Sequence, residues 1–411
     1  MPVCLSERPE IGIPTKPSAE LADIFRDNLD KLPKLSVEQW NVVNAIISCR
    51  TSRLGGHLLR CDQCDHELNL YNSCRNRHCP KCQALARAQW LSDRMTELLP
   101  VPYFHVVFTI PDFLNPVALR NKSVFYNILF RATNETLQQA ALNPRNLGAR
   151  IGFLAILHTW AQNLQDHPHI HCVVPGGGLS PDGSQWISSS NRFFVHVKIL
   201  GKLFRGKVLD YLKTAFQDQQ LHFPGKIQQF QHASAFQRLI DRGYRKQWVV
   251  YAKRPFAGPA QVLKYLANYT HRIAISNHRI LKLGSDSVTF SWKDRKHNNI
   301  TKQMSLGTRE FMRRFLLHVL PKRFVRIRSY GLLCNRYKKE LLNRCRVLIP
   351  TGEHTEESLA LDAQPPGHEC DLDQPETNDR LCPKCRTGHM IEIGIIEPQP
   401  IVAGNAFFDT S

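Results

Sequence analysis

No run of this 411-residue chain is apolar and uncharged for long enough to cross a bilayer, so no membrane-spanning helix is expected. The opening residues carry Glu7 and Arg8 and lack the apolar core of a signal peptide, which points to a cytoplasmic protein. Acidic side chains are in short supply: 35 Asp and Glu stand against 54 Lys and Arg, a formal charge of +19. The shortage is uneven. Residues 351–379 hold nine acids and no Lys or Arg, leaving the remainder of the chain near +28. A body this basic calls for a polyanionic partner, and nucleic acid is the natural one. The acidic segment, with Pro365, Pro366 and Gly367 and few apolar residues, reads as a flexible linker.

Cysteine, by contrast, is plentiful, with thirteen in the chain. In a reducing compartment that number implies metal sites or free thiols rather than disulfides. Cys61-x-x-Cys64 and Cys79-x-x-Cys82 lie fourteen residues apart. Each pair makes one knuckle, and together they offer four thiolates to one structural zinc. Cys74, His78 and His57 are alternative ligands nearby. Arg53, Arg60, Arg75, Arg77 and Lys81 surround the knuckles and suit phosphate contacts. Cys382-x-x-Cys385 is half of another knuckle, with His368 and Cys370 as candidate partners. Cys4, Cys49, Cys172, Cys334 and Cys345 show no metal spacing.

Along the chain, apolar periodicity predicts a helix over Ala19–Leu32 and a second opened by Ser36, with Gln39 completing a capping box and Val37, Trp40, Val43 and Ile47 as its stripe. A helix over Gln83–Leu99, a strand over Tyr103–Ile110 and a helical tract over Ala118–Leu142 follow. His105, on that strand, reads as structural. Gly152–Thr159 is a strand joined by a short connection to the next one, so the two should pair antiparallel. Lys202, Arg205 and Lys207 sit on a solvated or DNA-facing surface. Gln247–Ala252 reads as a strand, and Ile280–Leu283 with Val288–Trp292 as a hairpin. Arg309–Leu320 reads as a helix with Phe311, Phe315 and Leu316 inward and Arg313 and Arg314 outward. Beyond it, Lys322, Arg323, Arg326, Arg328, Arg336, Lys338 and Lys339 interleave with Phe324, Tyr330 and Tyr337, a composition that suits a single strand held by charge and stacking.

The chemistry is concentrated in two places. Asp166-His-Pro-His-Ile-His-Cys-Val-Val-Pro175 reads as a strand ending in the glycines Gly176–Gly178. Side chains alternate along a strand, so His169 and His171 share a face and can hold one divalent metal, while Ile170 enters the opposite layer. The antiparallel neighbour brings His158 beside His169 as a third ligand, with Gln162, Asp166 and His167 as competitors. About a hundred residues on, Gly258 and Pro259 open a helix carrying Tyr265 and Tyr269, four apart and therefore on one face. A phenol with pKa about 10 is a poor nucleophile unaided. Magnesium or manganese on the histidines would polarise a phosphate for tyrosine attack, giving a covalent phosphotyrosine and a free 3′ hydroxyl without any nucleotide cofactor. Arg254, Lys253, His271 and Arg272 flank the tyrosines and can clamp a phosphate.

These residues resemble the rolling-circle insertion-sequence transposases of the IS ninety-one family, which belong to the HUH endonucleases. The resemblance rests on His169-Ile-His171 and Tyr265-Leu-Ala-Asn-Tyr269-Thr-His-Arg, and spans roughly residues 12–345. Two further blocks carry it: Tyr71-Asn-Ser-Cys-Arg-Asn-Arg-His-Cys-Pro-Lys-Cys82, and Glu310-Phe-Met-Arg-Arg-Phe-Leu-Leu-His-Val-Leu-Pro321 leading into Ile327-Arg-Ser-Tyr-Gly-Leu-Leu333. It implies an α+β fold, with an HUH core of central antiparallel sheet and flanking helices behind a small helical, zinc-ribbon domain. The expected division is a zinc-binding domain over 12–100, a catalytic domain over 101–345, an acidic linker over 346–380 and a tail over 381–411. It also implies nicking of single-stranded DNA at a mobile element's ends and strand transfer to a target, with single- and double-stranded DNA as partners. A replication initiator or relaxase using the same chemistry, or a zinc-dependent DNA-binding regulator without catalysis, are the alternatives.

Overall fold

The computed structural model describes residues 19–83, 97–189, 195–253, 274–294, 297, 300–350 and 381–399. Helices α1 (Leu21–Arg26) and α2 (Val37–Ser48) precede a hairpin of β1 (Gly56–Cys61) and β2 (Glu67–Tyr71). The central region runs through β3 (Tyr103–Thr109), α3 (Asn115–Arg120), α4 (Lys122–Leu142), β4 (Gly152–Trp160), β5 (Asp166–Pro175), β6 (Gly177–Leu179), β7 (Trp186–Ser188), α5 (Val197–Gln217), α6 (Ala233–Arg245) and β8 (Val250–Lys253). Then come β9 (Ile280–Leu283), β10 (Ser287–Asp294), β11 (Ile300–Gly307), α7 (Thr308–Leu317), β12 (Ile327–Gly331), α8 (Lys338–Leu348) and β13 (Met390–Ile396). The α+β class is as expected. No helix among the described residues is long and apolar enough to cross a membrane.

The organising element is a five-stranded antiparallel sheet in the order β12-β4-β5-β3-β8. Its strands are apolar on both faces, so the sheet is covered on both sides. On one face Phe104, Val106, Phe108, Ala155, Leu157, Ile170, Cys172 and Val174 are buried against α4, α5 and α6. α4 supplies Phe125, Ile128, Leu129, Ala132, Leu137 and Ala140 at helical spacing to that core. Phe108 packs against Phe204 of α5 in a tilted arrangement, ring centroids 4.9 Å apart. Truncating a phenylalanine so enclosed costs about 3–5 kcal/mol. On the other face Tyr103, Ile156 and Val173 meet Leu179, Trp186 and the buried side of α8. The histidines lie on this second face.

A second core joins α1, α2, Cys79 and Cys82 to Leu164, Ala274, Ile275, the β9-β10-β11 sheet and α7. Residues from both expected domains therefore contribute to one apolar cluster. The glycine run after β5 does more than turn. Gly177 and Gly178 pair as β6 with β7, and a Cβ at 178 would lie 2.4 Å from the Arg150 carbonyl oxygen, so only glycine permits that approach.

Several expected elements differ in detail. The first helix stops at Arg26, where the Asn28 side chain donates to the Ile24 carbonyl and a short 3-10 turn follows. In α2 the Ser36–Gln39 capping box is present, yet the buried stripe is Val42, Val43, Ile46 and Ile47. Val37 and Trp40 lie at the surface because only the later turns of α2 pack into the second core. The tract at 118–142 is two helices, broken at Asn121, whose amide donates to the carbonyls of Val117 and His222. Strand β11 was not anticipated.

Candidate metal centres

Register sets the histidine site. His158 of β4 is paired directly with His169 of β5, and His171 lies two residues further along the same face. Their ligating nitrogens all fall within 4.8 Å of one another. All three are buried, at 4%, 8% and 3% exposure. The orientations are braced. His169 Nδ1 donates to the His167 carbonyl at 2.6 Å, and His171 Nδ1 pairs with His105 Nε2 at 2.8 Å, the two rings stacked. The His158 ring stacks on Trp160, centroids 4.8 Å apart. Engaging Nδ1 in this way presents Nε2 to a metal. Three converging imidazoles fit a divalent cation. They also form a softer donor set than magnesium prefers, favouring manganese or another transition ion.

Of His158, Asp166 and His167, only His158 joins the group. Gln162 gives its backbone carbonyl to Arg279, and His167 gives its own to His169. Asp166 lies on the alternate face, where burial pushes its carboxyl up to about 7 against the pull of Lys122. Lys122 is itself lowered to about 8 by burial, and its ammonium donates to the carbonyls of Leu317 and Val319. His105, read as merely structural, braces His171. Its i, i+2 relation to Val107, which faces His171 across β3 and β5, was the available signal.

The cysteines regroup. Cys61 and Cys64 do not share a site with Cys79 and Cys82. Cys79 and Cys82 converge instead with Cys49 and Cys74, Sγ–Sγ distances being 3.6 Å for Cys49–Cys82 and 3.5 Å for Cys74–Cys82. Cys61 and Cys64 face Cys382 and Cys385. The β1–β2 hairpin explains this. Cys49 and Cys74 flank its base, whereas Cys61 and Cys64 sit at its tip, about 17 Å away along β1 at 3.3 Å per residue. Spacing counts residues and misses the fold-back. Cys49, which shows no metal spacing, is thus a ligand candidate. Neither His57 nor His78 belongs to either cysteine group, and His57 pairs with Glu392 at 2.8 Å. His368 and Cys370 lie outside the described residues.

The basic residues around the knuckles are mostly committed within the protein. Arg60 pairs with Glu67 and Lys81 with Glu20, and Arg77 donates to the carbonyls of Phe324 and Pro321. Arg53 and Arg75 are exposed. In the later basic tract, Phe324 is core, Arg326 is buried against Gln83, and Arg328 stacks on Phe130 at 4.1 Å. Tyr337 is exposed.

Tyr265 and Tyr269, with Arg254, His271 and Arg272, lie outside the described residues. The stretch that holds them follows β8, where Lys253 pairs with His105, and precedes Ala274, which shares a buried cluster with Leu164 of the β4–β5 turn.

Comparison with known proteins agrees with these features. The family described as "Transposase zinc-binding domain" matches residues 21–110, and the family described as "Putative transposase" matches residues 152–340. The chain is 49% identical over 388 residues to "Putative transposase y4qJ" of Sinorhizobium fredii (strain NBRC 101917 / NGR234), covering 92% of this chain and 96% of that one. It is 30% identical over 297 residues to "Transposase for insertion sequence element IS801" of Pseudomonas savastanoi pv. phaseolicola, covering 72% and 70%. The chain belongs to the IS ninety-one type transposase family. Among solved structures, this transposase-family chain is similar to the conjugative relaxase TrwC in complex with oriT DNA. The metal-bound form is 14% identical with a TM-score of 0.24, covering 41% of this chain and 70% of the relaxase. The metal-free form is 17% identical with a TM-score of 0.21, covering 27% and 43%. Within the family's zinc-binding module, the Cys49, Cys74, Cys79 and Cys82 cluster supplies four thiol ligands of the kind a closed structural zinc takes.

Proposed function

We propose that this chain nicks single-stranded DNA at the ends of a mobile element and transfers the strand to a target. The observation that supports this most is the buried trio His158, His169 and His171, whose ligating nitrogens converge within 4.8 Å of one another. When bound, a divalent ion on these histidines supplies Lewis-acid polarisation of the scissile phosphate. The sheet sets the three rings by register, and His105 and the His167 carbonyl hold the Nδ1 atoms of His171 and His169, so the site is organised before DNA arrives. The nucleophile in this reading is Tyr265 or Tyr269. Its Oη forms a bond to phosphorus, the bond from phosphorus to the 3′ oxygen breaks, and the departing oxygen takes a proton to become a 3′ hydroxyl. The protein keeps a 5′-phosphotyrosine, and the second tyrosine permits another cleavage before the first adduct is resolved. The excess of basic residues serves the phosphate backbone of single- and double-stranded DNA.

The test is cleavage of labelled single-stranded DNA bearing the element's flanks, with manganese, on a denaturing gel. Wild type should form a metal-dependent protein–DNA adduct that disappears in the Tyr265→Phe/Tyr269→Phe variant and in His169→Ala. An adduct that survives the double tyrosine variant would refute the assignment of the nucleophile. Absence of any adduct from folded, zinc-loaded protein would refute the enzymatic reading.

A further inference from the structure

Cys61 and Cys64 close the turn after β1, and Cys382 and Cys385 form a matching turn shortly before β13, more than three hundred residues later. The sulfurs of Cys61 and Cys385 are 3.7 Å apart and those of Cys64 and Cys382 are 3.6 Å apart. A tetrahedron of thiolates at a Zn–S distance of about 2.3 Å has edges of about 3.8 Å. A disulfide would bring two sulfurs to about 2.05 Å, so these pairs are spaced for a shared ion. The backbone is arranged alike on both sides. The N–H of Gln63 points at Cys61 Sγ at 3.4 Å, and that of Lys384 at Cys382 Sγ at 3.4 Å. The N–H of Gly388 adds a third such contact, to Cys385 Sγ at 3.3 Å. Donors aimed at sulfur favour the thiolate, the form that binds metal.

The surrounding contacts show what such an ion would hold. β13 pairs antiparallel with β1 from Gly56–Ile396 to Cys61–Met390, so the three-stranded sheet β13-β1-β2 is built from distant parts of the chain. Among the described residues its apolar core is Leu59, Cys61, Cys382 and Met390, with Cys64 and Cys385 packed against it, while Ile391, Ile393 and Ile395 are exposed. So small a core does not by itself keep a strand docked. Gly388 lies tight against the first knuckle. A Cβ there would sit 2.6 Å from Cys61 Sγ and 2.6 Å from Asp62 Oδ1.

We propose that Cys61, Cys64, Cys382 and Cys385 bind a second zinc ion, distinct from the one suited to Cys49, Cys74, Cys79 and Cys82, and that this ion fastens residues 381–399 to the N-terminal sheet. An all-thiolate donor set selects zinc over magnesium or manganese. The zinc ribbon of this protein is thus split, one knuckle from each end of the described chain.

The test uses the full chain in a His169→Ala background, so that the histidine site does not enter the count. Elemental analysis should give two zinc ions per chain in this parent and one in its Cys382→Ser/Cys385→Ser derivative. Hydrogen exchange should show β13 amides protected in the parent and unprotected in the derivative, with α4 amides unchanged. A folded parent holding one zinc, or a derivative still holding two, overturns the proposal. Should the derivative fail to fold, alkylation mapped by mass spectrometry on the wild-type protein decides the matter. The half-exposed Cys64 and Cys385 should resist iodoacetamide when zinc-loaded and react after chelation, with exposed Cys334 as the reactive control. Labelling of Cys64 and Cys385 in the zinc-loaded protein overturns it.

Discussion

The histidine site and the two cysteine sites are built on opposite plans. The histidines come from adjacent positions of one hairpin, His158 and His169 directly paired, and offer three ligands. Each cysteine group offers four thiols gathered across a hairpin base or across most of the chain. Three protein ligands leave positions for water or substrate, the mark of a catalytic ion, while four thiolates close the sphere and leave only a structural role. In the reading proposed above, the histidine site would leave a bound metal open positions and the two cysteine sites would enclose theirs. Locality follows the same division. A catalytic geometry is best carried by rigid neighbouring strands, whereas a staple does most when it joins segments that would otherwise separate.

The contrast is sharpest in what each loss should cost. Cys79→Ser removes a buried thiol of the second core that is a candidate zinc ligand, and structural zinc binding is worth on the order of 10 kcal/mol. We expect a drop in melting midpoint of about 10 °C or more by calorimetry, together with loss of one zinc. A melting midpoint within two degrees of wild type would erase the distinction between hidden and exposed metal. His169→Ala should behave oppositely. Metal-stimulated strand cleavage should fall at least ~10²-fold to 10³-fold, with the zinc content of the cysteine sites unchanged; an equal loss of those zinc ions would show that the sites are not independent. His105→Phe, which keeps the ring but removes the contact to His171 Nδ1, should weaken manganese binding about 10- to 100-fold in a titration. Unchanged affinity would return His105 to a packing role.

The smallest effect concerns Asp166. Asp166→Asn should leave manganese affinity unaltered, because the carboxyl lies on the face away from the trio, whereas His158→Ala should lose it. The same change bears on stability. The native carboxyl is raised to about 7 from an ordinary value near 3.8, with burial the larger cause. The native state therefore holds this proton more tightly than the unfolded chain does, and stability falls as pH rises from about 4 through 7. Asp166→Asn should gain on the order of 2–4 kcal/mol at pH 8 and nothing at pH 4 in chemical denaturation. A gain at both values would mean that the site is relieved by shape rather than by charge.

What could be read from the chain follows from how local each feature is. The β4–β5 hairpin and its histidine face were legible because strand alternation and a five-residue connection leave little freedom. The capping box at Ser36 was legible for the same reason. The extent of α2's buried face was not, since Val37 and Trp40 are apolar yet remain exposed. The cysteines show the limit most clearly. Cys61, Cys64, Cys79 and Cys82 fall one residue short of zinc-ribbon spacing and read as one site, yet an intervening hairpin carries the first pair away from the second. The aromatics of the basic tract divide by packing: Phe324 is core and Tyr337 is exposed, and composition has no means of telling them apart.

The split ribbon has a consequence in time as well as in space. A chain made from its N-terminus presents Cys61 and Cys64 long before Cys382 exists. At about 5–20 residues per second the interval is roughly a quarter of a minute to a minute. Throughout it, two thiols of the first knuckle wait with half a coordination sphere, open to oxidation or to capture by another metal. A ribosome that stops early leaves them so. Completion of this sheet therefore reports that translation has passed β13, and a chain that stops before residue 385 carries no closed knuckle pair.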